Sequence, residues 1–97
     1  MTHYVAIVED AGPEKAVGVW FPDLPGCFSA GDTVDEALRN APEAVLAYAE
    51  ALEANGRSLP PARTLTELKD DDAFQTEASG HLLALVGLPE TIPSAAE

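Results

Sequence analysis

The single thiol of this chain, Cys27, and its two imidazoles, His3 and His81, are the side chains whose types could serve a nucleophile, a base or a metal ligand. A cysteine nucleophile needs a neighbouring base to hold it as thiolate, and neither histidine shares a motif with Cys27. Free cysteine is among the most buried residue types, so Cys27 is expected in the core. His3 and His81 meet only if the strands that carry them pair, and two ligands fall short of a structural zinc site. One cysteine also excludes an intrachain disulfide framework. No catalytic residue, metal site or cofactor is assigned.

Charge narrows the function further. Among 97 residues, 17 Asp and Glu stand against 5 Lys and Arg, a formal net charge of −12. A typical DNA-binding surface neutralises about six to ten phosphates. The bases here are Lys15, Arg39, Arg57, Arg63 and Lys69, scattered among acids, so direct nucleic-acid binding is not expected. A surface this acidic serves solubility or complements a basic partner. The longest apolar run, Leu82 to Val86, is far below the roughly 20 residues that span a bilayer. Met1-Thr2-His3-Tyr4 lacks the basic and apolar regions of a secretory signal. A cytoplasmic protein with no membrane partner is expected.

The elements that position these residues follow from pattern. Tyr4 to Val8 is apolar on both alternating faces, as a strand covered on one side and partly on the other requires. Gly12-Pro13 marks a turn, and Ala16 to Phe21 forms a second strand with Val17, Val19 and Phe21 on one face. Trp20 lies on the other face with Gly18, where it can pack over the glycine or anchor a partner. Pro22 ends the ladder, and Pro25-Gly26 suits the centre of a type II turn. Cys27 to Ala30 makes a short third strand.

Thr33-Val34-Asp35-Glu36 reads as a capping box opening a helix, and Asn55-Gly56 as its stop. Val34, Leu38, Ala41, Val45, Tyr48 and Leu52 form one buried stripe. Pro42 deletes a hydrogen bond within it, yet the unbroken stripe favours one kinked helix. Pro60-Pro61 reads as a linker, Thr64 to Glu67 as a second capping box over a turn or two of helix, and Asp70 to Asp72 as a solvated loop. His81 to Val86 is a fourth strand. The fold class is α+β, β-β-β-α-β, sheet order 3-2-1-4, with one main helix on one face. A single return by that helix predicts a right-handed crossover and a fourth strand parallel to the first. Residues 1–88 form the domain, and 89–97 are expected to be a mobile tail.

Three blocks carry a resemblance. Tyr4-x-Ala6-Ile7-Val8 is followed by Gly18-x-x-Phe21-Pro22-Asp23-Leu24-Pro25-Gly26-Cys27. Then comes Gly31-Asp32-Thr33-x-x-Glu36-Ala37-x-x-Asn40-Ala41-x-Glu43-Ala44. In this order, over residues 4 to 88, they resemble the HicB-type antitoxin domain, a partial ribonuclease-H-like fold without nuclease activity. The resemblance implies a type II toxin–antitoxin function, in which the domain neutralises a HicA-type toxin, a small basic ribonuclease that cuts messenger RNA. Many members add a C-terminal helix-turn-helix or ribbon-helix-helix that binds the promoter. Eleven residues follow Val86, too few for either, so promoter binding is not expected of them.

Occlusion of the toxin's RNA surface is the expected mechanism. Lasting affinity comes from a few desolvated anchors, and Trp20 with the Phe21 to Leu24 corner supplies candidates. Asp23, Asp35, Glu36 and Glu43 are the acids expected to face the toxin. Self-association into a homo-oligomer, by a sheet edge or a helix face, is expected from the apolar fourth strand. Two other readings stand beside this one. A degenerate ribonuclease-H-like nuclease would need several converging carboxylates. Only Asp23 and the acids at the helix start could gather, and each has a structural task. A standalone oligomeric regulator sensing a small ligand needs no toxin at all.

Overall fold

In the computed structural model, which describes residues 2–88, the first strand, β1 (His3–Glu9), buries every residue from Tyr4 to Val8. Strands β2 (Val17–Trp20) and β3 (Phe28–Gly31) precede the long helix α1 (Val34–Ala54), and two short helices, α2 (Leu65–Leu68) and α3 (Asp72–Ala78), lead into β4 (Leu82–Gly87). The sheet order is β3-β2-β1-β4, as the sequence predicts. The expected tail, residues 89–97, lies outside the described residues.

Both faces of the sheet are covered, which explains why β1 is apolar throughout. Tyr4, Ala6 and Val8 join Val17, Val19, Phe21 and Val86 against Ala37, Ala41 and Val45 of α1. Val5 and Ile7 turn the other way, onto Leu68 of α2 and Phe74 of α3, with Trp20 and Ala78 packed beside them. Fully burying each such Val, Leu, Ile or Phe stabilises the fold by roughly 1.5–3 kcal/mol.

Two expectations need correction. The fourth strand runs antiparallel to β1, pairing Tyr4 with Val86 and Val8 with Leu82. The chain crosses the molecule twice after β3, once in α1 and again through α2 and α3 on the opposite face, and the second crossing reverses its direction. His3 therefore lies opposite Gly87, while His81 precedes Leu82 at the far end of a strand about 20 Å long, so the two imidazoles do not meet. The acidic run is the second correction. Asp71 is the N-cap of α3, its carboxylate accepting from the amides of Ala73 at 2.9 Å and Phe74 at 3.4 Å, and Asp72 begins the helix.

Helix α1 starts at the Thr33 cap, whose hydroxyl accepts from the Glu36 amide at 3.1 Å. The Glu36 carboxylate reaches one residue further back than in a capping box, accepting from the amide of Asp32 at 2.6 Å. The helix continues without a break through Pro42. Its start lies so close to β3 that a Cβ on Gly31 would stand 2.6 Å from the Ala37 nitrogen. The helix ends where the amides of Gly56 and Arg57 reach back to the carbonyls of Glu53 and Leu52, the closure expected at Asn55-Gly56.

Candidate functional site

The corner between β2 and β3 is built from two consecutive turns. The Leu24 amide donates to the Phe21 carbonyl at 3.1 Å and the Cys27 amide to the Leu24 carbonyl at 3.0 Å. A proline stands at the second position of each turn, and Gly26, with φ of 86°, supplies the positive φ of the type II geometry. Phe21, Leu24 and Cys27 turn inward, at 2%, 0% and 4% exposure. From α1, the Tyr48 hydroxyl donates to the Pro25 carbonyl at 2.8 Å and the Cys27 thiol contacts the Ala44 carbonyl at 3.7 Å. Burial pushes the Cys27 thiol above its ordinary pKa.

Asp23 is occupied within the molecule. Its two oxygens accept from the backbone amide of Arg63 at 2.8 Å and from the Arg63 Nε at 2.7 Å. Arg63 also donates through a terminal guanidinium nitrogen to Asp71 at 2.9 Å. These hydrogen bonds, Asp23 first, hold the guanidinium above its usual pKa. The same hydrogen bond, followed by those of the Ala73 and Phe74 amides, lowers that of Asp71. A further tie runs from the Tyr4 hydroxyl to the Pro60 carbonyl at 2.6 Å. Burial, then the nearby Asp23 charge, raises the Tyr4 phenol.

Outside this latch lies an open cleft of about 300 Å³, lined by Trp20, Phe28 and Glu77 together with the Phe21 to Cys27 corner. Half-buried Trp20 donates from its indole nitrogen to Glu77 at 2.8 Å, and its ring meets His81 edge-on at 5.5 Å between centroids. Phe28, paired with Trp20 across the strands, is 68% exposed. An aromatic wall beside a carboxylate suits an aliphatic or cationic side chain.

Of the other residues singled out in the sequence, Asp35 and Glu43 are exposed on α1 and Glu36 is half-buried. Asp35 points away from the sheet, half a turn from buried Ala37. Glu36 and Glu43 lie on the flank marked by Asn40, whose side-chain amide donates to the Ala30 carbonyl of β3 at 3.0 Å. That flank borders the β3 edge on the face opposite Trp20. The structure thus divides the candidates: Trp20 on one side of β3, Glu36 and Glu43 on the other, and Phe21, Asp23 and Leu24 inside the corner between. Phe28 and Glu77 were not singled out by the sequence. Phe28 reads as an ordinary strand residue, and Glu77 reaches Trp20 only through α3. Among the described residues, no three His, Cys, Asp or Glu side chains are grouped to hold a metal, and no helix is long and apolar enough to cross a membrane.

This architecture has close counterparts. A 14.9 kDa protein from the rep-hol intergenic region of Haemophilus phage HP1 is 44% identical over 93 residues, covering 92% of this chain and 68% of that protein. The crystal structure of the Burkholderia pseudomallei antitoxin HicB is 29% identical with a TM-score of 0.74, over 97% of this chain and 74% of that one. A chain of the HicA3 and HicB3 toxin–antitoxin complex aligns over 96% of this chain and all of its own length, with 29% identity and a TM-score of 0.66. The family model described as HicB_like antitoxin of bacterial toxin-antitoxin system matches residues 4–90. The two-turn corner, the Thr-capped helix and the β3-β2-β1-β4 sheet therefore stand in a chain that belongs to the HicB-like antitoxins of bacterial toxin–antitoxin systems.

Proposed function

We propose that this antitoxin binds a small basic toxin of the HicA type across its β3 edge, covering the toxin's RNA-binding surface and performing no chemistry of its own. One observation supports the choice of edge above others. Trp20, Phe28 and Glu77 rim an apolar cleft on one side of β3, and Glu36 and Glu43 line the helix flank on the other side. A cationic RNA-binding surface laid over β3 meets aromatic anchors and carboxylates together. The net charge of −12 steers the encounter, and complementary fields raise on-rates by roughly 10 to 10³-fold. The desolvated aromatic pair then holds the complex. Asp23, Phe21 and Leu24 contribute by keeping the corner in shape.

The test is RNA cleavage by the partner toxin in the presence of this protein. Equimolar antitoxin is expected to abolish cleavage, and Phe28→Ala to weaken the complex by about tenfold or more, the scale of losing one anchor. Cleavage at undiminished speed with the antitoxin in excess would overturn the proposal.

A further inference from the structure

The cleft beside the β3 edge holds a single charged side chain. Of the residues that line its space of about 300 Å³, Glu77 alone carries a charge. That volume stands at the lower limit for ligand pockets, enough for one long side chain and too small for a helix or a strand. Glu77 is also held ready. It stands on α3, which buried Phe74 anchors, and its Oε2 accepts from the Trp20 indole nitrogen at 2.8 Å. The tie fixes the carboxylate beside the ring before anything binds, so little rotamer freedom remains to be lost. A carboxylate has about four lone-pair sites, and the indole takes one. No other described residue hydrogen-bonds to this carboxylate.

Chemistry separates the side chains that could enter. An anion is repelled by Glu77 and by the net charge of −12. An aliphatic side chain fills the space but shuts the carboxylate away from water without giving it a donor, which is unfavourable. A lysine ammonium can reach Glu77, yet it is compact and strongly hydrated, and it sheds that water on entering apolar surroundings. A guanidinium is planar, weakly hydrated and forked. It stacks on an aromatic ring while its in-plane N–H groups reach a carboxylate.

We propose that this cleft is an arginine site, which seats one arginine side chain of the toxin with its guanidinium against Trp20 and Phe28 and its fork on Glu77. The source of that arginine rests on the toxin reading, and the chemistry of the cleft does not. Trp20 keeps its hydrogen bond to one carboxylate oxygen while the guanidinium donates to the other, so the new contact breaks no existing one. The chain's own Arg63 does not fill the role, being held by Asp23 and Asp71. Phosphate-binding surfaces use arginine for forked contacts, so an RNA-binding surface laid over β3 carries candidates for the cleft.

The chain's only tryptophan gives a single indole N–H signal in nuclear magnetic resonance, and that signal reports on the cleft directly. In the whole chain, acetyl-Gly-Arg-Gly-amide is expected to move it saturably, with a Kd on the order of a few millimolar. The citrulline counterpart has the same shape without the charge and should bind about fivefold more weakly. Glu77→Gln keeps an oxygen for the indole and should erase the difference between the two peptides. In the toxin complex, Glu77→Gln is expected to raise Kd by about tenfold. Changing the toxin's arginines to lysine one at a time should find one whose loss does not add to that of Glu77→Gln. Equal shifts from the two peptides, or no shift, overturn the arginine site, and this comparison needs no variant to fold. If the toxin is still neutralised in that case, the toxin reading stands without the arginine. An arginine-selective shift beside a toxin that cuts RNA at full speed would uphold the site and remove the toxin as its occupant.

Discussion

Arg63 reaches across 40 residues of sequence to Asp23 and engages both carboxylate oxygens, one with its backbone amide and one with its Nε. The Asp23 side chain is 7% exposed, while that of Arg63 is 41% exposed. The inner partner thus depends on the outer one. Arg63 then extends to Asp71, the cap of α3, so one side chain ties the β2–β3 corner to the helix that carries Glu77. The shape of the aromatic cleft is therefore set partly by a residue outside it.

Removing the guanidinium should show this dependence. Arg63→Met leaves Asp23 with only the backbone amide and is expected to cost about 2 kcal/mol, the low end for stranding a buried carboxylate because Arg63 is itself partly solvated. Urea unfolding measures the loss. Arg57→Met, at an exposed position, should be close to neutral, and an equal loss there would show that net charge rather than the latch is responsible.

The latch also fixes how stability responds to pH. Asp71 is held below its ordinary pKa, first by Arg63 and then by the two cap amides. A carboxylate lowered in the fold contributes stability above its unfolded pKa of about 3.9 and loses it as pH falls through the lower folded value. Thermal melts should therefore decline below about pH 4, and Asp71→Asn should flatten that decline while lowering stability at neutral pH. Tyr4 works in the other direction. Its phenol is raised by burial and by Asp23, so its contribution is complete below about pH 10 and fades as pH climbs past it. Tyr4→Phe should remove that alkaline fall.

The glycines of β2 and β3 give a paired test. A Cβ on Gly31 would meet backbone atoms of Glu36 and Ala37 at 2.9 and 2.6 Å, whereas one on Gly18 would meet nothing within 4 Å. Backbone cannot swing aside as a side chain can, so Gly31→Ala is expected to cost about 1–3 kcal/mol by forcing α1 off the sheet. Gly18→Ala should be neutral or slightly stabilising. Equal effects at the two positions would contradict the close approach of α1 to β3.

How much of this was legible in the sequence depends on whether the signal was local. The β1 alternation, the Pro25-Gly26 turn and the Thr33 cap each lie within a few residues, and each forms as its pattern predicts. The direction of β4 did not, because an apolar run reads the same both ways and its polarity depends on how often the chain has crossed beforehand. Helix α3 supplied the missing crossing. Its cap, Asp71, stands in a run of three aspartates that resembles a loop, although Phe74 and Ala78 four residues apart gave a helical spacing that could have revealed it. Tertiary pairs left no trace: Trp20 finds Glu77 across 57 residues, and Asp23 reads as a free surface acid until Arg63 folds over it.

The division of labour at the β3 edge should appear in kinetics. Glu36→Gln and Glu43→Gln remove charge but keep an oxygen, so the Asp32 amide retains its acceptor at Glu36 and the helix start is preserved. Together they should slow toxin association several-fold at low salt, with little effect at high salt, and leave dissociation nearly unchanged. Phe28→Ala should do the reverse, speeding dissociation while the on-rate holds, since most differences among variants of one interface lie in the off-rate. Stopped-flow association and chase-type dissociation separate the two. The experiment turns on which rate moves. If the glutamine pair changed only dissociation, α1 would be a close contact surface and long-range attraction would have to come from elsewhere on the molecule. If Phe28→Ala left both rates alone, the aromatic cleft would lie outside the interface and the toxin would have to be held along the helix flank.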